Sequence, residues 1–283
     1  MLRGIDTAAS GMIALQRRQE ALTNNLANIE TPGYKKVDTT LRSFPEVLLE
    51  RIHDSGNGNG SNPTGFSLVG SLQQGVYAQE NISSFAQGDL VTTDNPLDVA
   101  IDDRALAGQN GQKPGAFFAV MTGAGEVRYT RNGRFTVDEA GQLRTTEGYT
   151  VLNPNGQPVR TSAELAGGDV SISADGEIIL YPDDLSRRTV LDRIGLVLIQ
   201  NPNDLIKDGN GLFKLEGGGN PPPLLTELPA GVQLRHKMIE KSNVDPTMTM
   251  TNMMENVRIY EANQKVLQAY DKSLELLNSI GRV

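Results

Sequence analysis

Residues 2–34 read LRGIDTAASGMIALQRRQEALTNNLANIETPGY, and this stretch decides the fold. Its apolar and small residues recur at alternating spacings of three and four, interrupted at Gln19, which is the pattern of a coiled-coil seam. We expect the helix to end where Pro32 forces Thr31 out of helical geometry and Gly33 supplies a positive φ. The seam positions are Ile5, Ala8, Met12, Leu15, Leu22, Leu26 and Ile29.

A seam of this kind needs a second helix, and the candidate lies at the other end of the chain, at 245–280. Asp245 suits the N-cap position and Pro246 the first helical position. The apolar residues of this helix form two rows, which predict contacts on two sides and therefore with neighbouring molecules as well. One row is Met250, Met253, Val257, Tyr260, Leu267 and Leu274, and the other is Ile259, Val266, Tyr270, Leu277 and Ile280.

The middle of the chain, from 67 to about 199, has the pattern of short β-strands. Glycine-bearing turns separate them, and Asp175-Gly176 is a hairpin signal. The pattern predicts an antiparallel β domain, sandwich or barrel-like, and therefore an α+β fold. The predicted strands are 117–121, 127–130, 135–137, 149–152, 170–172, 177–181 and 194–200.

We predict three regions from these patterns. The paired termini, 1–34 with 242–283, form a helical core domain, and 67–223 form a mainly-β outer domain. Segments 35–66 and 224–241 are an extended connector. Within it, 44–52 is a short amphipathic run with Pro45 at a first helical position. The Gly/Asn-rich stretch 54–65 is a flexible loop, because it lacks the strand and the Lys-Ser/Thr of a phosphate-binding loop.

Composition excludes several function classes. The chain has no cysteine, which rules out disulfides, thiol catalysis and zinc-thiolate sites. Residues 1–52 and 235–283 each carry seven basic and six acidic residues, and the whole chain carries a net −8, so the middle carries −10. An acidic middle disfavours nucleic acid as a partner. We find no membrane-spanning run and no signal peptide, so ordinary secretion rules predict a cytoplasmic protein unless another export route operates.

No catalytic, cofactor or metal site is predicted. The two histidines, His53 and His236, lie outside any HExxH pattern, and no GxSxG stretch is present. The acidic pairs 102–103 and 183–184 are expected to be turn residues, since sequence neighbours on a strand point to opposite faces. The turn at 207–211 lacks the spaced ligands of a calcium loop.

Four methionines near the start of the last helix allow two interpretations. They could form an adaptable binding surface, or they could be packed helix positions, and we favour the second. The residues are Met248, Met250, Met253 and Met254.

Several motifs resemble those of the bacterial flagellar rod and hook proteins, the axial proteins of the basal body. The stretch 24–34, NNLANIETPGY, is similar to their N-terminal signature, and 242–245, SNVD, with 258–265, RIYEANQK, is similar to the C-terminal one. In the middle, QGDL, NPLDVAI, YTRNGRF and GQL resemble the β domain of the longer members. The signature residues are Asn25, Asn28, Thr31, Gly33, Tyr34, Ser242, Asn243, Val244, Asp245, Tyr260, Glu261 and Asn263.

The resemblance implies a structural rod subunit, most like the distal rod protein or a related hook-basal-body protein. Family members pass unfolded through the flagellar type III export apparatus without a cleaved signal peptide. They then polymerise outside the cytoplasmic membrane with themselves and with other rod and hook proteins, their terminal helices paired as a coiled coil. The predicted assembly interface is Ile5, Met12, Leu15, Leu22, Leu26, Val257, Tyr260, Val266, Leu267, Tyr270, Leu274 and Leu277.

Two other function classes stay open at this point. The chain could be a secreted β-rich adhesin or binding module whose helical ends only hold an oligomer together. An enzyme that hydrolyses the cell wall is the third hypothesis, although no residue pattern favours it.

Overall fold

The computed structural model describes residues 2–53, 65–72, 75–106, 108, 113–161, 170–218 and 221–281. Its two long helices are α1 (Leu2–Ala27) and α2 (Pro246–Ile280), and antiparallel strands lie between them. The predicted α+β class is confirmed. Helix α2 begins at the proline that the sequence places at the first helical position, and α1 ends a few residues before Pro32 because residues 28–33 form turns.

Twenty strands are present in the described part of the chain. Of the seven predicted strands, those at 127–130, 135–137 and 170–172 have the predicted bounds, and the other four differ by one or two residues at an end. In chain order the strands are β1 (Val37–Ser43), β2 (Val47–His53), β3 (Gly65–Leu72), β4 (Val76–Ser83), β5 (Leu90–Thr92), β6 (Val99–Asp102), β7 (Gly115–Met121), β8 (Val127–Thr130), β9 (Phe135–Val137), β10 (Leu143–Thr145), β11 (Thr150–Val151), β12 (Val170–Ile172), β13 (Glu177–Leu180), β14 (Thr189–Arg193), β15 (Leu196–Ile199), β16 (Leu205–Gly209), β17 (Leu212–Leu215), β18 (Leu224–Leu225), β19 (Gln233–His236) and β20 (Met238–Glu240).

The chain folds into two compact units. The first, called the helical unit here, consists of Met1–Leu26, Val37–Ile82 and Pro246–Val283. The second, called the β unit, consists of Ala27–Lys36 and Ser83–Asp245. Each unit is therefore made from segments that are far apart in the sequence.

The core of the β unit is a nine-stranded sheet centred on β7, which pairs with β8, β11 and β15. Phe118 and Val120 pack into one apolar cluster, while Phe117 and Ala119 pack into another on the opposite face. Because both faces of β7 are covered, its sequence GAFFAVM is continuously apolar rather than alternating. Segment 173–176, which contains the predicted hairpin signal, joins β12 to β13 in a smaller antiparallel sheet.

The prediction for 44–52 is wrong. Pro45 was expected at the first position of a helix, but this part of the chain is extended, and β2 pairs with β3 from Val47↔Leu72 to His53↔Gly65. Proline is tolerated both at the start of a helix and beside a strand, and the β-branched residues in this stretch fit the ladder that β3 offers. Residues 54–64 lie outside the described residues, so the predicted loop is not described for most of its length.

Candidate assembly interface

The predicted seam of α1 is partly buried inside the helical unit. Leu15 and Leu22 are buried, whereas Ile5, Met12 and Leu26 are half-buried. Strand β4 lies beside α1, since Arg17 Nη1 donates to the carbonyl oxygen of Ala78 at 3.5 Å. The seam therefore has a covering inside its own unit before any neighbouring molecule is considered.

Helix α2 contacts α1 through small and polar positions. The side chain of Asn256, 2% exposed, donates from Nδ2 to the carbonyl oxygen of Leu15 and to Gln19 Oε1, both at 2.9 Å. The Oδ1 atom of Asn256 is buried without a hydrogen-bond partner.

Two glycines of α1 continue this contact. Gly4 faces the phenol of Tyr270, which a Cβ atom at that position would overlap, and Gly11 faces the amide of Asn263. Residue numbers rise along α1 as they fall along α2, so the two helices lie antiparallel where they meet. The missing side chain of Gly4 leaves room for the ring of Tyr270, whereas a Cβ atom at Gly11 would lie at an ordinary contact distance of 3.4 Å from Asn263 Nδ2.

Most of α2 remains exposed beyond this contact. Every residue from 271 to 280 is exposed, and Leu267 and Tyr270 are half-buried. The predicted interface residues that are exposed are Val257, Tyr260, Val266, Leu274 and Leu277. Helix α2, 35 residues long, therefore leaves most of its two apolar rows exposed, whereas Met253, Leu267 and Tyr270 are half-buried.

The predicted packing of the four methionines is wrong for three of them. Met248, Met250 and Met254 are exposed, and only Met253 is half-buried. The start of α2 meets too little of the helical unit to cover them all. The other interpretation, an adaptable binding surface, stays open.

The N-terminal signature residues stabilise the bend after α1. Asn25, which is buried, exchanges two hydrogen bonds with the main chain of Val37, one of 2.7 Å and one of 2.9 Å. Further along, Thr31 Oγ1 donates to Asn28 Oδ1 at 3.2 Å. An asparagine side chain that pairs with a peptide group in this way satisfies main-chain atoms that the turn would otherwise leave unpaired.

Gly33 is required by both its conformation and its surroundings. Its φ is 68°, in the left-handed region, and a Cβ atom there would lie 2.6 Å from the carbonyl oxygen of Arg131 and from the amide nitrogen of Asn132. Its own amide donates to the carbonyl oxygen of Glu240 at 2.8 Å. The sequence predicted the positive φ but not the close approach of another main chain.

The C-terminal signature ties two distant segments of the β unit together. Asn243 Oδ1 accepts the amide of Lys36 at 2.7 Å, while Nδ2 donates to the carbonyl oxygens of Ser84 and Ala86 at 2.8 and 3.1 Å. Of the other signature residues, Tyr34 and Val244 are buried, Ser242 and Asn263 are half-buried, and Asp245, Tyr260 and Glu261 are exposed.

A buried ionic cluster lies beneath this junction, and sequence reasoning missed it. Lys35 Nζ and Glu240 Oε1 are 2.6 Å apart, and Arg131 reaches Glu240 at 3.4 Å and Asp103 at 2.5 Å. All four side chains are 5% exposed or less. The lysine directly follows the N-terminal signature and the arginine lies in the YTRNGRF motif, but nothing in the sequence predicts that they share one carboxylate.

The cluster is electrically balanced, with two cations and two carboxylates, although Arg131 Nε is buried without a hydrogen-bond partner. Glu240 Oε1 also accepts the amide of Gly88 at 2.8 Å, and Lys35 Nζ donates to the carbonyl oxygen of Ala86 at 2.9 Å. Burial, followed by repulsion from Arg131, lowers the pKa of Lys35 to about 8, although Glu240 opposes the shift. Such a cluster acts as a structural tie, because each charge faces a partner and none is free to react.

The residues considered for chemistry have structural partners. His236 Nε2 lies 2.8 Å from the carbonyl oxygen of Pro96, and burial lowers the pKa of the imidazole. Asp102 pairs with Arg235 at 3.3 Å, and Asp208 in the 207–211 turn pairs with Arg128 and Lys214. The side chain of His53 lies outside the described residues. Among the described residues, no three His, Asp or Glu side chains come together as metal ligands would.

Neither helix could cross a membrane, judged on the residues that the structure describes, because no window of either helix is apolar enough.

Comparison with known proteins matches three family descriptions along the chain. Residues 5–35 match "Flagella basal body rod protein", residues 114–180 match "Flagellar hook protein FlgE/F/G D1 domain", and residues 235–280 match "Flagellar basal body rod FlgEFG protein C-terminal". The first and last of these ranges contain the two signatures and the seam of α1.

Similar proteins align along the full length. The flagellar hook-basal body complex protein FlhO of Bacillus subtilis is 36% identical over 288 residues, with 100% of both chains covered. The flagellar basal-body rod protein FlgG of Caulobacter vibrioides is 30% identical with 99% of each chain covered. The FlgG protein of Borreliella burgdorferi is 29% identical over the whole of both chains.

Proposed function

Since the chain belongs to the flagellar basal-body rod and hook protein family and is a structural subunit of the rod, we propose that copies of it assemble into a helical tube that transmits torque from the motor to the hook. The exposed apolar rows of α2 carry the proposal. Val257, Val266 and Leu277 are each more than 40% exposed in the single chain. Apolar surface on this scale is stabilised by contact with other molecules.

The proposed wall of the tube is a coiled coil of the two terminal helices. Asn256 supports it, because one buried asparagine at a seam position is a device that fixes the register of helices. Gly4 supports it by leaving room for the ring of Tyr270 from the other helix. Helix α2 spans about 52 Å and α1 about 39 Å at 1.5 Å per residue, so the last turns of α2 extend past their partner. These turns are the part that would meet the next subunit.

In this proposal 1–34 with 242–283 form the inner helical domain, 67–223 form the outer β domain, and 35–66 with 224–241 connect them. The twelve predicted interface positions are proposed to face partners in the tube rather than solvent. Contacts between unlike faces that do not close into a ring generate a filament.

The proposal extends to export and partners. The chain would pass through the flagellar type III export apparatus unfolded, without a cleaved signal peptide, and would assemble in the cell envelope with other rod and hook proteins. The absence of cysteine fits a chain that folds after export, since no disulfide has to form. We propose no enzymatic activity, and the family membership gives the adhesin alternative no support.

The test removes the exposed apolar rows and keeps the fold. We would change Val266→Ser together with Leu277→Ser, and compare a control with Lys265→Ser and Asn278→Ser. All four positions are exposed in the single chain, so each pair should change the free energy of unfolding by less than about 1 kcal/mol.

Only the first pair should abolish swimming and the sedimentation of assembled protein. Normal motility and sedimentation of the Val266/Leu277 variant would overturn the assignment of the tube interface to these rows. A deletion of residues 1–30 should likewise abolish assembly.

A further inference from the structure

The sulfur of this chain is all in methionine, because the sequence has eight methionines and no cysteine. Three methionines are exposed among the described residues: Met248 at 60%, Met250 at 46% and Met254 at 61%. All three lie near the start of α2, within residues 246–254, so the exposed thioethers are concentrated at one place. The other methionines in the described part of the chain are half-buried, namely Met12, Met121, Met238 and Met253.

An exposed thioether reacts with a hydroperoxide. The sulfur atom attacks one oxygen of the peroxide, an S–O bond forms as the O–O bond breaks, and the sulfur loses two electrons. The peroxide accepts these electrons, so the second oxygen of hydrogen peroxide leaves as water. The product is a methionine sulfoxide, which is polar and which sulfoxide reductases convert back to methionine. With neither cysteine nor tryptophan in the chain, methionine is the residue that a low dose of peroxide oxidises first.

Two of the three exposed methionines lie on one face of α2. Met250, Met254 and Val257 follow each other at spacings of four and three residues, which places them side by side on a helix. Val257 is 43% exposed and is one of the positions proposed to meet the next copy. Met248 precedes Met250 by two residues and so lies about 200° away around the helix axis. Met250 and Met254 therefore extend the apolar row of the proposed interface, whereas Met248 lies on a different face.

Oxidation reverses the property that suits these side chains to an interface. A methionine is flexible and apolar, so it fits an irregular contact. A sulfoxide oxygen needs a hydrogen-bond donor, and burying it without one is unfavourable. In the unassembled chain the same oxygen stays in water, because Met250 and Met254 are exposed. The sulfoxide therefore destabilises the assembled state and leaves the single chain almost unaffected.

We propose that Met250 and Met254 are modification sites at which a hydroperoxide forms sulfoxides, and that these sulfoxides keep the unassembled chain out of the tube. The inference rests on the proposed self-assembly and adds a reversible chemical control to it. Once the chain has assembled, the neighbouring copy covers the two thioethers and shields them from peroxide. The modification therefore acts on a subunit before assembly and not on the finished tube.

The first experiment maps the oxidation. The full-length chain is treated with a low dose of hydrogen peroxide below its assembly concentration, and peptide masses locate each gain of an oxygen atom. Met248, Met250 and Met254 should react before Met253, which is half-buried in the same part of α2. In protein that is treated after assembly, Met250 and Met254 should be protected.

The second experiment measures the effect on assembly. Peroxide treatment of the wild-type chain should raise the concentration for half-maximal sedimentation at least about tenfold, and sulfoxide reductases should restore it. In the Met250→Leu/Met254→Leu variant, whose leucines have a similar volume and cannot be oxidised, this concentration should be the same after treatment as before it. The matched control, Met248→Leu, should respond to peroxide as the wild type does. Urea unfolding of the treated and untreated chains should coincide, which separates a loss of assembly from a loss of the fold.

The inference and the tube proposal fail by different results. If Met250 and Met254 react no sooner than Met253, they are not the modification sites. If both are oxidised and the treated chain assembles like the untreated one, their sulfoxides do not control assembly, while the tube proposal stands. If the untreated chain does not assemble at all, the tube proposal fails and this inference fails with it.

Discussion

Replacing Gly33 with alanine tests how rigid the signature junction is. The substitution forces an L side chain into the left-handed region, at a cost of about 1–2 kcal/mol. It also places a Cβ atom 2.6 Å from main-chain atoms of Arg131 and Asn132. Relief of such an overlap by backbone shifts costs roughly 1–3 kcal/mol more. We therefore expect the free energy of unfolding of the β unit to fall by about 2–5 kcal/mol.

Three other glycines separate the two contributions. Gly148 has a φ of 89° and nothing within 4 Å of the point that a Cβ atom would occupy. Gly148→Ala should therefore lower the free energy of unfolding only by the cost of an L side chain in the left-handed region, about 1–2 kcal/mol. Gly123 has an ordinary φ and open space, so Gly123→Ala should be almost neutral. Gly133 has an ordinary φ but faces the carbonyl oxygen of Val99, and its replacement should show the steric cost alone.

The assay is urea unfolding of the full chain, followed by far-UV circular dichroism and by tyrosine fluorescence, since the protein has no tryptophan. Four of the seven tyrosines lie in the β unit. The reasoning fails if Gly33→Ala is no more destabilising than Gly148→Ala, because the Arg131 main chain would then be free to move away.

Three further predictions concern buried polar groups. Burial lowers the pKa of Lys207 from 10.5 to about 8 and raises that of Tyr34 from 10.0 to about 12. Burial also lowers the pKa of Lys35 to about 8. At both lysines the unfolded chain binds more protons between pH 8 and 10, so the free energy of unfolding measured in urea titrations should rise there by on the order of 1 kcal/mol per lysine. Above pH 10 it should fall, because Tyr34 then binds more protons in the folded chain, and Lys207→Gln should remove only the Lys207 share of the rise. Glu240→Ala should cost about 3–5 kcal/mol because the buried Lys35 loses its carboxylate partner and Arg131 keeps only Asp103, and adding Lys35→Met should recover part of that loss. Asn256→Leu should leave the free energy of unfolding unchanged or higher, yet make assembled protein heterogeneous in length by sedimentation and microscopy, whereas uniform assemblies would contradict a role in register.

Periodicity and turn chemistry were sufficient to predict the two helices and seven of the twenty strands. The three-four spacing in α1 and the alternation around Asp175-Gly176 involve only residues that are close in the sequence. The folded chain has the helix and the hairpin that these two patterns predict. The segment at 44–52 shows the limit of this reasoning, because a proline followed by apolar residues fits a helix start and a strand equally well. The pairing with β3, and not the segment itself, decides between them.

The junction could be predicted only in part. Gly33 carries recognisable turn chemistry and has the positive φ that the sequence predicts, whereas Asn25 lies in the last turn of α1 and was identified only by its resemblance to the family signature. The ionic cluster carries no such signal, since Lys35 and Glu240 are 205 residues apart and Arg131 lies on a third segment. Charged residues are mostly exposed, so a buried set becomes evident only when the fold brings the partners together.

The junction also explains where the signature residues at 28–34 and 242–245 lie, whereas Tyr260, Glu261 and Asn263 belong to α2. The chain enters the β unit through residues 27–36 and leaves it through residues 240–245. Three hydrogen bonds join these segments: the amide of Gly33 donates to the carbonyl oxygen of Glu240, the amide of Lys36 to Asn243 Oδ1, and the amide of Asn243 to the carbonyl oxygen of Tyr34. The buried cluster adds charge-assisted bonds below them, which are stronger than neutral ones. A load carried from one segment to the other therefore passes through several bonds that would have to break together. Seams between helices tolerate exchange of one apolar residue for another. The junction does not, because it depends on the side-chain hydrogen bonds of Asn243, on the left-handed conformation of Gly33 and on buried charges that are paired with one another.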